Sequence, residues 1–321
     1  MFDYKKVLLF SIILIFIFNY RTLALNKIIE IEHKNLLKAD LEALMANILE
    51  FNFEEGKYIK DITYKSTENE DLTLDIFLPG NFNKNQDNRY PVIIYLHGGS
   101  FIRGGKKEIL ELKPLLKKFL NKGWGVVSVN YRLINKNNNF PDNIEDIFST
   151  IQWVKENAKK YSFDSKKIGL IGHSAGGNLA LMGGLASGDN FSDKSFEPAD
   201  IKFIISMAGP TKLDDTENFK LRKNIISYLS EKDFDNKLLK NASPINYLHQ
   251  DSPPVLLVHG TEDLFVPFKQ SIDFYQKASE LDIDCMFIKI NNAGHTIRLS
   301  YLPVIEELGD YILDFIEKYG F

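Results

Sequence analysis

The chain has 321 residues, of which 44% are hydrophobic and 26% are charged, and its formal net charge is −4. This composition is typical of a soluble globular domain with a large core, and it excludes an intrinsically disordered chain. A negative net charge, without any basic stripe interleaved with aromatic residues, also excludes a nucleic-acid-binding surface.

The first 24 residues have the pattern of a signal peptide. Two lysines precede an apolar run from Val7 to Phe18. That run is shorter than the roughly 20 residues a membrane-spanning helix needs, but it fits a signal-peptide core. The stretch "TLA" at 22–24 then offers a small-residue cleavage site. We therefore predict export, either secreted or periplasmic, with a mature chain beginning near Leu25. The alternative is an uncleaved anchor formed by residues 7–18.

The next part of the chain predicts a helix followed by an antiparallel strand pair. Residues 25–57 are charged and include "LLKADLEALMANIL", whose apolar residues have helical spacing. They are predicted to form a helical lead-in. "YIKDITYKS" and "LTLDIFLP" then alternate apolar and polar residues around a polar turn, as two antiparallel strands do. No repeat or long flexible linker follows, so residues 58–321 are predicted to form one domain.

From Tyr90 onward the sequence predicts a parallel sheet. Short runs rich in β-branched residues, namely "VIIYLHG", "GVVSVNY", "KIGLIGH", "KFIISMAG", "PVLLVHG" and "CMFIKI", alternate with amphipathic stretches. The amphipathic stretches are Lys106–Leu120, Ile144–Tyr161, Ala175–Ala186, Pro267–Leu281 and roughly Ile297–Tyr319. Continuous apolar strands separated by helices indicate a sheet covered on both faces. The predicted fold class is therefore α/β, with a mostly parallel central sheet, helices on both faces and an antiparallel strand pair at one edge.

One connection between strands, residues 211–249, is longer than a simple crossover needs. It is predicted to be a helical excursion that could overhang a site. A surface insertion is the alternative.

Ser174 is the candidate nucleophile. It lies in "KIGLIGHSAGGNLAL", between a strand-like run and a helix-like run, with Gly172 and Gly176 two positions away on either side. In a parallel sheet, reactive groups gather in the loops at the carboxyl ends of the strands. A serine displayed on a tight strand-to-helix turn needs small neighbours, because larger side chains there would collide with the adjoining strand and helix.

A serine hydroxyl needs a base to take its proton, and the base needs an acid to hold its tautomer. Of the six histidines, His295 is the preferred base, because "NAGHT" lies after the last strand and before the last helix. The acid is expected after the penultimate strand, where "VHGTEDLFVP" offers Asp263, with Glu262 as the alternative. His259, in the same stretch, is assigned a structural role.

The stretch "YLHGGSF" is the candidate oxyanion loop, since its glycines let the backbone approach a substrate closely. The predicted donors are the amides of Gly98, Gly99 and Ala175, and His97 is predicted to order the loop. The sequence contains no phosphate-binding loop, no pair of histidines one helical turn apart and no cysteine pair. We therefore expect no cofactor and no metal.

These blocks resemble the α/β-hydrolase superfamily, which has the same chain order of serine, acid and histidine. "LHGGSF", "VNYRL", "GHSAGGNLA", "PPVLLVHGTEDLFVP" and "NAGHT" are similar to blocks of its carboxylesterase-like branch with an HGG oxyanion loop. The resemblance covers roughly Tyr58 to Phe321, and it extends to secreted acetyl and feruloyl esterases and to hormone-sensitive-lipase-like esterases. Two departures point away from the last group. Ser100 stands where many relatives have a third glycine, and His173 stands where the lipase-like branch has aspartate.

The resemblance implies a serine carboxylesterase that hydrolyses short-chain acyl, acetyl or aryl esters through an acyl-enzyme. Its partner would be a small-molecule or glycan-linked ester, with no nucleic acid and with membrane contact only through an uncleaved N-terminal segment. One alternative is a small amidase, arylformamidase or peptidase of the same fold. Oligopeptidase relatives usually carry a large domain ahead of the hydrolase, whereas about thirty residues precede the first predicted strand here. The other alternative is a catalytically inactive binding protein.

Overall fold

The computed structural model describes most of the predicted domain. The described residues are 26–31, 56–80, 89–187, 191, 201–213, 236–297, 299 and 302–319. The predicted signal segment 1–24, residues 32–55 of the lead-in and residues 214–235 of the long connection lie outside them. Among the helices of the described ranges, none is both long enough and apolar enough to cross a membrane.

One nine-stranded sheet forms the centre of the molecule, in the order β1-β9-β8-β7-β6-β4-β5-β3-β2. The strands are β1 (Asn26–Ile31), β2 (Lys57–Ser66), β3 (Asp71–Leu78), β4 (Tyr90–Leu96), β5 (Gly125–Val129), β6 (Phe163–His173), β7 (Ile201–Met207), β8 (Val255–Gly260) and β9 (Cys285–Ile290). β2 pairs antiparallel with β3, and β3 pairs antiparallel with β5. The other neighbouring pairs are parallel. The predicted mixed sheet with an antiparallel pair at one edge is confirmed.

The helices follow the predicted amphipathic stretches. They are α1 (Lys113–Asn121), α2 (Asp142–Glu156), α3 (Ala158–Tyr161), α4 (Ala175–Leu185), α5 (Asn236–Asn241), α6 (Phe268–Glu280) and α7 (Leu302–Tyr319), with 3₁₀ helices at Lys106–Leu112 and Pro244–Tyr247. The stretch predicted as one helix from Lys106 is divided, and Pro114 lies in the first turn of α1. Proline suits that position because its missing N–H would have no partner there, whereas inside a longer helix it would break the hydrogen-bond ladder.

The core has two layers because the strand period of two sends alternate side chains to opposite faces. Every residue of β4 is buried. Ile94 and its alternate neighbours pack on the face covered by α2, α4 and α6, while Ile93 and Tyr95 pack on the face covered by α1 and α7. Fully burying one aliphatic side chain contributes about 2 kcal/mol, so this double covering holds the central strands rigidly. The carboxyl ends of β4, β6, β8 and β9 are thereby fixed relative to one another.

The start of the described chain corrects one prediction. Residues 26–31, predicted as part of a helical lead-in, form β1, which pairs parallel with β9 so that Ile31 faces Ile290. Ile29 and Ile31 are buried while Ile28 is exposed, which is the alternation of a half-buried strand. The helical prediction is wrong for these residues because the backbone groups along β9 pair with them. No local property of a six-residue segment reports such a long-range partner.

Candidate active site

Ser174 lies on a tight turn between β6 and α4, with φ 54° and ψ −119°. A positive φ is rare outside glycine and needs surrounding structure to hold it. A Cβ at Gly172 would lie 2.1 Å from the Gly176 carbonyl oxygen, and one at Gly176 would lie 2.0 Å from the Leu96 oxygen. Both flanking glycines are therefore required by close backbone contact, as the sequence predicted. The Ser174 N–H donates to the Met207 carbonyl at 2.8 Å and ties the turn to β7.

The structure brings the predicted base and acid to Ser174. The Ser174 Oγ lies 2.8 Å from His295 Nε2, and His295 Nδ1 lies 2.7 Å from Asp263 Oδ2. Asp263 follows β8 and His295 follows β9, so all three groups lie at the carboxyl edge of the sheet. Glu262, the alternative acid, is exposed, and its N–H donates to the Ala293 carbonyl. The geometry therefore selects Asp263 over Glu262.

The Asp263 carboxylate is buried and fully hydrogen-bonded. Its Oδ1 accepts the N–H groups of Phe265 and Val266 at 2.8 and 2.9 Å. Its Oδ2 accepts from His295 and also lies 3.0 Å from His259 Nε2. Burial alone would raise the pKa of this carboxyl, but the hydrogen bonds from His259 and His295 outweigh it and hold the pKa well below its usual range. Asp263 is therefore ionised at neutral pH.

An ionised carboxylate only accepts hydrogen bonds, and this fixes the tautomer of His295. The Nδ1 of His295 carries the hydrogen that Asp263 accepts, so in the neutral ring the Nε2 lone pair faces the Ser174 hydroxyl. The ring of Phe265 lies beside the imidazole, with centroids 5.4 Å apart. The arrangement can take a proton from Ser174 and stabilise the resulting imidazolium.

The loop after β4 lies beside Ser174 and is shaped by its glycines. Gly99 has φ +112°, and a Cβ there would lie 2.1 Å from the Arg103 carbonyl oxygen. Its own carbonyl accepts the N–H groups of Ile102 and Arg103, which closes the loop. Gly99 and Ala175 both line the cavity that contains Ser174. In the described part of the chain, no acceptor is bonded to either N–H, so both can serve as oxyanion donors as predicted.

Gly98 differs from the prediction. Its N–H donates to Glu108 Oε1 at 2.9 Å, and the same oxygen accepts the Tyr95 hydroxyl at 3.0 Å. The amide is therefore already engaged, and the prediction that Gly98 is an oxyanion donor is wrong. Glu108 was not predicted from the sequence, because it lies in an amphipathic stretch where a charged residue is usually exposed to solvent. No local signal shows that this carboxylate turns inward to hold the oxyanion loop.

His97 orders the same loop, as predicted. It is 1% exposed, and its ring stacks on Tyr131 with centroids 4.2 Å apart. The Tyr131 hydroxyl donates to the His97 carbonyl at 2.8 Å, and His97 Nδ1 lies 2.7 Å from the Gly98 carbonyl. Burial lowers the pKa of His97, so the ring stays neutral near pH 7.

His173, the residue before the candidate nucleophile, makes a contact that the sequence did not predict. Its Nε2 lies 3.1 Å from the His295 carbonyl oxygen, which only accepts, so Nε2 donates in this contact. Burial lowers the pKa of His173. The bond joins the strand that presents Ser174 to the backbone of the loop that carries His295.

Ser174 and His295 open into a cavity of about 580 Å³. Its wall combines apolar and polar side chains, among them Tyr95, Arg103, Glu108, Leu112, Phe265 and Leu299. The described parts of the long connection, residues 211–213 and 236–249, do not line it. Within the described ranges, no group of histidine, cysteine, aspartate or glutamate side chains could hold a metal ion.

The strand order and the strand-to-helix position of Ser174 are those of the α/β-hydrolase fold. The sequence prediction of this fold is confirmed. A family-model match narrows this fold class to one family. The chain belongs to the BD-FAE family, whose model matches residues 74–278.

Similar proteins have esterase names. The chain is 30% identical over 237 residues to esterase LipQ of Mycobacterium tuberculosis, covering 71% of this chain and 55% of LipQ. It is 25% identical over 219 residues to esterase LipC of the same organism, covering 65% of this chain and 53% of LipC. The chain thus spans about half the length of these curated relatives.

Two solved structures are similar in fold. A truncated carbohydrate esterase from gut microbiota superposes with a TM-score of 0.67 at 23% identity, covering 81% of this chain and 96% of that one. A thermophilic esterase from Thermogutta terrifontis superposes with a TM-score of 0.65 at 22% identity, covering 79% of this chain and 91% of that one.

Proposed function

We propose that this chain is a serine carboxylesterase with Ser174 as nucleophile, His295 as general base and acid, and Asp263 as the group that orients His295. The observation that carries the proposal is the continuous chain of hydrogen bonds from Ser174 Oγ through His295 to Asp263, at 2.8 and 2.7 Å. The esterase names of the relatives support the same bond class.

The first half of the reaction forms an acyl-enzyme. Ser174 Oγ attacks the ester carbonyl carbon while its proton moves to His295 Nε2. The carbonyl electron pair moves onto oxygen, where the N–H groups of Gly99 and Ala175 stabilise it. When the tetrahedral intermediate collapses, the bond to the alcohol oxygen breaks and His295 gives that oxygen the proton.

The second half repeats these steps with water. His295 takes a proton from water as the water oxygen attacks the acyl carbon, and the second intermediate collapses to release the carboxylic acid. The proton returns to Ser174 Oγ. The charge of Asp263 stabilises the imidazolium in both halves.

The proposed substrates are short-chain acyl, acetyl or aryl esters of a small molecule or a glycan. A cavity of about 580 Å³ is within the range of small-molecule sites. Its wall is largely apolar, which suits a short acyl chain or an aryl ring, while Glu108 and Tyr95 are already bonded to each other.

Hydrolysis of p-nitrophenyl esters from acetate to laurate tests the proposal. We expect activity on the short esters and a loss of about 10⁴-fold or more in kcat for Ser174→Ala, because no other group supplies the nucleophile. Ser149→Ala is the matched control, since among the described residues the Ser149 hydroxyl bonds to the Glu145 carbonyl within α2.

The assay also separates the alternatives. A folded Ser174→Ala protein that keeps wild-type activity would overturn the assignment of the nucleophile. Hydrolysis of formamides or peptides in place of esters, lost in the same variant, would keep the nucleophile and replace the bond class. A folded wild-type protein inert on all three would favour a binding protein.

We also propose that residues 1–24 direct export, with an uncleaved anchor as the alternative. The apolar run Val7–Phe18 supports this proposal, as does the beginning of β1 at Asn26, just after the predicted cleavage site. N-terminal sequencing of the protein from its native host tests it. A first residue near Leu25 is expected, while Met1 retained in a membrane fraction would indicate the anchor.

A further inference from the structure

One carboxylate oxygen of Asp263 lies within hydrogen-bond distance of two histidines. Asp263 Oδ2 lies 2.7 Å from His295 Nδ1 and 3.0 Å from His259 Nε2. His295 is partly open to the cavity, whereas His259 is 0% exposed at the end of β8. His259 therefore cannot meet the substrate, and any effect it has on the reaction passes through Asp263.

The other contacts of His259 fix its ring and its proton. Its Nε2 also lies 3.2 Å from the Val266 carbonyl, and its Nδ1 lies 2.7 Å from Ser271 Oγ on α6. The Asp263 carboxylate and the Val266 carbonyl only accept hydrogen bonds, so Nε2 must carry a hydrogen. Nδ1 is then free to accept from the Ser271 hydroxyl. The ring of Phe268 packs edge-on against it, with centroids 5.6 Å apart.

We propose that His259 is a positioning residue, which donates from Nε2 to Asp263 Oδ2 and so fixes the carboxylate and weakens its attraction for a proton on His295. The kinetic part of this inference rests on the proposed esterase function. The hydrogen bond itself and its effect on His295 do not.

A positioning role and a purely scaffolding role of His259 predict opposite changes in the titration of His295 when His259 is replaced. If the second donor is removed and Asp263 stays in place, the carboxylate becomes a stronger partner for protonated His295, and the pKa of His295 rises. If His259 were only scaffolding, its loss would let Asp263 move away and the pKa of His295 would fall.

Other ionisable groups near His295 do not confuse this comparison. His173 lies against its ring, with centroids 5.4 Å apart. Arg103, Glu108 and Glu111 line the same cavity, and Glu262 adjoins Asp263 in sequence. All five are identical in the wild-type protein and in a variant at position 259, so the difference between the two titrations reports the change at His259.

Two amide substitutions, His259→Gln and His259→Asn, test the hydrogen bonds of the two ring nitrogens of His259 separately. The side-chain nitrogen of glutamine reaches the position of Nε2, so His259→Gln keeps the bond to Asp263 and loses the one to Ser271. The nitrogen of asparagine corresponds to Nδ1, so His259→Asn keeps the contact with Ser271 and loses the bond to Asp263.

The primary measurement is an NMR titration of the His295 ring in Ser174→Ala protein, where no turnover is needed. We expect the titration of the His295 ring in His259→Asn to lie at higher pH than in the protein with His259, and that in His259→Gln to coincide with it. Identical titrations in the two variants, or a fall in His259→Asn, would overturn the proposal.

A second NMR measurement needs no variant at His259. A long-range ¹H–¹⁵N spectrum of the wild-type protein reports which nitrogen of His259 carries hydrogen. Protonated Nε2 is expected, and a ring with hydrogen on Nδ1 alone would contradict the inference even if both variants failed to fold.

In active protein, we expect His259→Asn to lower kcat about 10-fold with KM unchanged and to move the acid limb of kcat/KM to higher pH. His259→Gln should retain most of the activity. If the wild-type protein hydrolyses no ester, the function proposal fails while the two NMR measurements still decide the role of His259.

Discussion

The two sides of the candidate active site are held in place in different ways. On the serine side, backbone atoms pack directly against backbone atoms. An added Cβ at Gly172 or Gly176 would overlap a carbonyl oxygen. On the acid–base side, a Cβ at Gly260 would also lie 2.3 Å from the Ala293 carbonyl oxygen, but the Asp263 side chain is fixed by hydrogen bonds from two amides and two imidazoles. Close backbone packing therefore holds the turn that carries Ser174, whereas hydrogen bonds orient Asp263 and His295. A side chain added at a packed glycine should disrupt the site abruptly, whereas loss of one hydrogen-bond partner should weaken it by degrees.

The largest expected effect is at the backbone contact. Gly176→Ala places a methyl group 2.0 Å from the Leu96 carbonyl oxygen, so the turn must move. We expect the free energy of unfolding to fall by about 3 kcal/mol or more, together with loss of the proposed esterase activity. Urea denaturation and an ester assay measure the two effects.

Gly123→Ala is the control for that experiment. Gly123 has φ +82° but no atom within 4 Å of the added Cβ, so the substitution introduces backbone strain without overlap. A cost of about 1 to 2 kcal/mol is expected, with activity retained. Equal costs for the two variants would show that close packing does not determine the serine side.

A smaller effect is expected at Glu108, whose side chain accepts a hydrogen bond from the Gly98 N–H in the loop after β4. Glu108→Ala removes the acceptor of the Gly98 N–H, so the loop loses its anchor and the oxyanion donors lose alignment. We expect kcat to fall about 10- to 100-fold with little change in KM. Glu108→Gln keeps a carbonyl oxygen for the same bond and should retain most of the activity.

Glu111→Gln provides the comparison for Glu108, because Glu111 is exposed and lines the same cavity. It should leave kcat unchanged. If Glu111→Gln and Glu108→Ala lowered kcat equally, negative charge in the cavity would explain the result, and anchoring of the loop would not.

The smallest expected effect is a change in pH dependence at His173, which bridges the two sides. Burial lowers the pKa of His173 in the folded protein. Below about pH 6.5 the imidazole of His173 in the unfolded chain therefore binds a proton that the folded protein does not bind. Stability contributed by the neutral ring is therefore present above this pH and is lost as the pH falls. The loss is up to about 1.4 kcal/mol per pH unit for one proton.

Urea denaturation at pH 7.5 and pH 5.5 checks this expectation. His173→Gln should show a smaller drop in the free energy of unfolding between the two pH values than the wild-type protein does. His249→Gln, at an exposed position, should follow the wild-type protein. A drop in His173→Gln as large as in the wild-type protein would contradict the expected linkage.

The sequence predicted the parts of the site that local chemistry specifies. The glycines around Ser174 are a local steric requirement. The positions of Asp263 and His295 follow from the order of apolar strands, because a parallel sheet brings its carboxyl ends to one edge. The apolar runs likewise predicted the central strands, which are buried on both faces.

Contacts between elements that are distant in the chain could not be predicted from the sequence. Glu108 lies in a stretch with surface-like patterning, and its bond to Gly98 exists only because the 3₁₀ helix packs against the end of β4. β1 pairs with a strand more than two hundred residues later in the chain. His259 was expected to be structural, and its bond to Asp263 depends on the path of the loop after β8, which no periodicity reports.

The direction of β1 determines how the molecule would face if held at its N-terminus. Asn26 lies beside Cys285 at the amino end of β9, and Ile31 lies beside Ile290 near the loop that carries His295. Six strand residues span about 20 Å, so Asn26 lies at the end of the sheet opposite the carboxyl ends that carry Ser174 and His295. Attachment at Asn26, to a bilayer or to a bead, would therefore place Ser174 and His295 at the far end of the strands from the point of attachment.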